Sequence, residues 1–125
     1  MIRKVFIGLF LGMLCVSCTW ENEEVLYSNT IENCNINVVT YSNDVVPLLD
    51  FNCNGCHSHQ SASALGDNIV LDDYTLLINY VKNDRLMGSV MHSKGYNPMP
   101  KSGPKLTICE IETLQKWIDN GALNN

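Results

Sequence analysis

Cys53-Asn54-Gly55-Cys56-His57 is the stretch that decides how the rest of the chain is read. It is a C-x-x-C-H run, the attachment sequence for a c-type haem. Two thiols three residues apart lie on one turn, and each can form a thioether to one of two vinyl groups on the same porphyrin edge. The histidine that follows at once is then held beneath the iron as an axial ligand. Asn54 and Gly55 suit a tight bend between the cysteines, since glycine carries no Cβ penalty. Cysteine pairs at this spacing also serve zinc sites, disulfides and thioredoxin-like redox centres. Zinc needs two further ligands at clip-like spacing, and His57, His59 and His92 with Cys109 supply no second C-x-x-C or H-x-x-x-H. A thioredoxin-like pair follows a strand and enters a βαβ frame, and no such pattern surrounds Cys53.

Upstream, Arg3 and Lys4 precede an apolar run from Val5 to Val16. That run is shorter than the roughly 20 residues a membrane span requires, and it reads as a secretion signal. It ends in Leu14-Cys15-Val16-Ser17-Cys18, which resembles a bacterial lipobox, whose cysteine is diacylated and becomes the new N-terminus. Cys18, after small Ser17, is the expected lipidation site, and Cys15 is the weaker candidate. A plain cleaved signal is the alternative. The expected organisation is a signal peptide over 1–17, an acidic tether and extended lead-in over 18–40, and one domain over 41–125.

Export places the chain where disulfides persist. Of six cysteines, Cys15 leaves with the signal, Cys18 takes lipid, and Cys53 and Cys56 take haem. Cys34 and Cys109 remain and are expected to pair, the alternative being two buried thiols. Closing a loop of about 76 residues is worth on the order of 4 kcal/mol by chain-entropy reasoning.

Charge is uneven. From Cys18 to Val81 there are nine carboxylates and no Lys or Arg, and from Lys82 onward six basic residues stand against four acidic ones, giving −7 for the mature chain. Nucleic acid is excluded as a partner on this balance. Lys82, Arg85, Lys94, Lys101 and Lys105 form either a patch that steers an acidic redox partner or an ordinary solvated surface.

Hydrophobic periodicity supplies the elements. Val45, Leu48 and Leu49 make the i, i+3, i+4 stripe of a first helix capped by Asn43 or Asp44, with Pro47 in its first turn. Residues 58–68, rich in Ser, Ala and Gly, read as loop. Asp72 or Asp73 caps a second helix bearing Tyr74, Leu77, Ile78 and Val81. A short helical piece follows near Arg85–Met91, and residues 93–105 are too rich in Gly and Pro to be regular. Thr107-Ile108-Cys109-Glu110 is a capping-box pattern opening a last helix with Ile111, Leu114, Trp117 and Ile118 on one face and Gly121 as its stop. No convincing strand is present, so the fold class is all-α.

Inside the Pro-rich stretch lies Asn97-Pro98-Met99-Pro100. A thioether can bind haem iron opposite a histidine and raises its potential, and flanking prolines hold Met99 in an extended loop. His92, Met87 and Met91 compete for the same role, and Met99 as a plain surface residue is the other alternative.

A helix, Cys53-x-x-Cys56-His57, intervening helices, Pro98-Met99-Pro100 and a final helix bearing Trp117 together resemble a single-haem class I c-type cytochrome over roughly Tyr41 to Gly121. The resemblance is strongest to the small cytochrome c domains of bacterial envelope lipoproteins, through Leu106-Thr107, Glu110 to Glu112 and Lys116-Trp117-Ile118. It implies three to four helices around one covalent haem c, axial ligation by His57 and Met99, and first-helix packing against the last near Cys109. With both axial positions filled by protein and no catalytic motif elsewhere, the expected role is electron transfer by a monomeric, non-enzymatic carrier that meets redox proteins, and the lipobox places it at the cell envelope, lipid-anchored to a membrane facing the periplasm or the cell surface. The acidic surface departs from strongly basic carriers and bears on which partner is met. Tyr74, Tyr96, Arg85 and Lys94 are haem-propionate candidates by position alone. The alternative function is a haem-based sensor or weak peroxidase with an open sixth site.

Overall fold

The computed structural model describes residue 34 and residues 36–101 and 103–125. The signal segment, Cys15, Cys18 and the acidic stretch before Cys34 lie outside the described residues.

The first helix begins earlier than the Asn43/Asp44 expectation. Thr40 is its N-cap, and the Thr40 hydroxyl accepts from the Asn43 N–H at 3.3 Å. The Asp44 carboxylate reaches back to accept from the Thr40 N–H at 2.7 Å and its hydroxyl at 3.0 Å. Asp44 therefore completes the cap from inside the helix. Tyr41–Val45 form a π-helical turn, and α1, Val46–Asn52, carries Pro47 in its first turn. Proline has no N–H to give to the preceding turn, and the widened turn lies directly before it. The backbone breaks at Cys53 and restarts as α2, Asn54–His57.

Residues read as loop after the motif contain one further helical turn, α3, Ala62–Leu65. Ser58 and Ser61 share a 2.7 Å hydroxyl contact, and Ala62 N–H donates to Ser58 O at 2.8 Å. Local serine bonding thus starts a turn where composition alone suggested none, and Ala62 is buried by it. Asp73 caps α4, Tyr74–Lys82, accepting from Leu76 N–H at 3.0 Å. The short α5, Arg85–Val90, follows. The last helix α6, Ile108–Asp119, opens with the expected capping box between Thr107 and Glu110.

Every regular element among the described residues is helical. One core joins the π-helical turn, α1, α4, α5 and α6: Val45, Leu49, Leu77, Leu114 and Trp117 are all but completely buried, each worth about 1.5–3 kcal/mol or more for its apolar surface. The Tyr41 ring stacks on Trp117 at 5.5 Å and meets Tyr74 edge-on at 5.1 Å. Asn52 adds a 2.9 Å bond to the Glu110 carboxylate, so the first helix lies along the last. Asn125 closes the seam, accepting from the Tyr41 and Ser42 N–H groups at 2.9 Å each.

A disulfide joins Cys34 to Cys109, with Cα atoms 5.3 Å apart. Val39 is buried and Ile36 packs on the same core, so the lead-in before Tyr41 belongs to the folded body. Among the described residues no helix is long and apolar enough to cross a membrane.

Candidate functional site

Cys53, Cys56 and His57 follow one another across the junction where α1 runs directly into α2. The Cys53 N–H still donates to Leu49 O at 2.8 Å, while Cys53 O accepts from Cys56 N at 3.0 Å and His57 N at 2.9 Å. Both cysteines are free thiols, Cys53 half-buried and Cys56 exposed. Burial pushes the Cys53 thiol up to about 11, and the Glu110 carboxylate acts in the same direction, so Cys53 stays a neutral thiol at ordinary pH. Gly55 corrects an expectation. An added Cβ there would meet nothing within 4 Å, and its backbone is not left-handed, so the turn does not require glycine.

His57 is oriented by the segment that follows it. Its Nδ1 lies 3.1 Å from Ile69 O, and Leu71 N–H donates to His57 O at 2.8 Å. A carbonyl only accepts, so in the neutral ring Nδ1 carries the proton and Nε2 carries the lone pair. Gly66 makes the approach possible: a Cβ there would collide with Cys56 O and come within 2.8 Å of His57 Nδ1. Ser61 braces the turn by donating to Asn54 O at 3.3 Å.

The other histidines are engaged elsewhere. His59 pairs with Asp72 at 2.6 Å. His92, a competitor for the sixth position, has its Nε2 3.0 Å from Met99 O. Met87 packs against the core and Met91 is exposed at the end of α5. Met99 itself is half-buried, its N–H donating to Ser89 O at 3.0 Å, and the Met99–Pro100 peptide is cis. No hydrogen bond among the described residues joins the Met99 loop to the cysteine motif. Among the propionate candidates, the Tyr74 hydroxyl donates to Ala122 O at 2.8 Å, Arg85 lies over the Tyr80 ring at 5.2 Å, and Tyr96 covers Gly88.

The donor set fits a covalent haem c. It offers two unbridged thiols on one turn and an imidazole whose Nε2 keeps the lone pair, with a glycine leaving room beside its Nδ1. It fits zinc poorly, because among the described residues no three His, Cys, Asp or Glu side chains gather to hold a metal ion. Sequence reasoning missed Gly66, Ile69 and Ser89. Gly66 sat inside a stretch whose composition says only loop, and Ile69 and Ser89 act through their main-chain carbonyls, which leave no side-chain signal.

No family model matches the chain, and no curated protein or solved structure matches it.

Proposed function

We propose that this chain is a single-haem electron carrier of the class I cytochrome c type, exported and lipid-anchored through Cys18. Cys53 and Cys56 hold the haem covalently, His57 is the proximal ligand and Met99 the distal one. A bound haem c supplies a one-electron couple between ferric and ferrous iron, which needs no substrate at the metal. The observation that carries the reading is the His57 Nδ1 contact to Ile69 O, set one residue after a pair of free thiols. A proximal histidine is oriented in this way when its remaining nitrogen serves a metal. Packing of the first helix on the last, through Tyr41 and Trp117, accords with the same class.

The visible spectrum of the haem-matured protein tests it. A low-spin spectrum with a Met-to-ferric-iron charge-transfer band, lost in Met99→Ala, and no carbon monoxide adduct supports the closed-site carrier. A high-spin ferrous form that binds carbon monoxide overturns it in favour of a sensor or peroxidase with an open site.

A further inference from the structure

Two helices of this chain end in the same hydrogen-bond pattern. After α6, Gly121 N–H donates to Ile118 O and Ala122 N–H to Trp117 O, both at 2.9 Å. After α5, His92 N–H donates to Ser89 O at 3.2 Å and Ser93 N–H to Gly88 O at 2.9 Å. These are the paired bonds of a Schellman stop, which places one residue in the left-handed region. Gly121 takes that place at φ 92, and His92 takes it at φ 56. Glycine is at ease there, whereas a residue with a Cβ is strained. Strain of this kind persists where the surroundings over-determine it.

The His92 side chain supplies what glycine cannot. Its ring Nε2 reaches Met99 O at 3.0 Å. Met99 is also the one residue of Pro98-Met99-Pro100 with an N–H, and that N–H donates to Ser89 O at 3.0 Å. Both main-chain polar groups of Met99 are therefore clasped by the end of α5. Tyr96 folds the intervening loop against the same helix, since a Cβ on Gly88 would lie 2.5 Å from its ring.

We propose that His92 is a positioning residue for Met99, accepting left-handed strain so that its ring holds the Met99 main chain against α5 and keeps the thioether on the iron. This rests on the reading of Met99 as the sixth ligand.

The test uses the haem-matured protein and three variants, His92→Gly, His92→Asn and Met99→Ala. Glycine and asparagine both tolerate the left-handed backbone, and neither reaches Met99 O. Melting temperature is expected to hold or rise in His92→Gly. Loss of one hydrogen bond shifts the ratio of ligated to released Met99 roughly fivefold. The charge-transfer band is therefore expected to weaken, the reduction potential to fall, and the ferrous protein to begin taking up carbon monoxide, in both His92 variants. A wild-type band that Met99→Ala abolishes, but that survives unchanged with its potential in both His92 variants, overturns the positioning role alone. A wild-type spectrum indifferent to Met99→Ala overturns the ligand reading and the positioning role together.

Discussion

Helix α6 is held along its whole length. Thr107 and Glu110 close its first turn, Cys109 is bridged to Cys34, and Leu114 and Trp117 are buried. Its last turn is tied by Trp117 Nε1–H donating to Leu123 O at 2.9 Å. Helix α5 spans six residues against twelve and begins at Asp84, which makes no side-chain cap bond and has a left-handed backbone. Leu86, Gly88 and Val90 seat it on the core, but Met91 and His92 at its end are exposed. Hydrophobic burial and a covalent link fix α6, and polar main-chain contacts to a proline-rich loop hold the end of α5. On the proposed reading of Met99, stability and the hold on that residue are governed by different parts of this small molecule. On that proposal, variants along α6 should read out in melting and variants at the end of α5 in the visible spectrum of the haem-matured protein.

The largest effect on the α6 side is expected from Cys34→Ser. Removing the bridge between residues 75 apart in sequence frees the lead-in and is expected to cost about 2–4 kcal/mol. Denaturant unfolding should report that loss while the haem spectrum stays as in the wild type. An unchanged midpoint would show that the bridge constrains nothing, and an altered spectrum would break the separation between the two helices.

Gly121→Ala is the next test and the direct counterpart of His92→Gly. An added Cβ would meet nothing nearer than the Leu123 side chain at 3.8 Å, so the loss comes from the left-handed backbone alone, about 1–2 kcal/mol. Opposite signs at the two Schellman stops, with destabilisation at Gly121 and none at His92→Gly, would sharpen the contrast. Destabilisation at both would mean that the His92 ring contributes more to folding than its strain removes.

These two stops also mark how far the sequence could be read. Gly121 was legible because glycine after a periodic apolar face is a general stop signal. His92 was not, because a histidine in the left-handed region is set by its contact with Met99, seven residues away, and local propensity is silent on that. The Thr107-to-Glu110 capping box and the Leu114/Trp117 face both follow from local spacing, and the structure keeps each of them. The start of the first helix shifted because Asp44 and Thr40 exchange bonds reciprocally, so a plausible cap residue turned out to serve from within. Gly66 was hidden for a related reason: its need for a bare Cα comes from His57, nine residues earlier, and not from any turn of its own.

Glu110 gives the smallest expected effect and the one with a pH signature. Partial burial pushes its carboxyl up, but the bonds from the Thr107 N–H, the Asn52 amide and the Thr107 hydroxyl outweigh that and leave it below the ordinary glutamate value. A carboxyl depressed in the folded state adds stability above its unfolded pKa of about 4.3 and loses it as pH falls through the lower folded value. Glu110→Gln keeps the shape and removes the charge that favours a helix N-terminus, for an expected loss of about 0.5–1 kcal/mol at neutral pH. The urea midpoints of wild type and variant should therefore differ at pH 7 and draw together as pH falls through the lowered folded value of Glu110, where its carboxyl takes up a proton. A gap that stays constant across that range would assign the effect to hydrogen-bond geometry instead of charge. Because Asn52 sits immediately before Cys53, an accompanying change in the haem spectrum would mean that the α6 cap also steadies the attachment turn, joining two regions that otherwise respond independently.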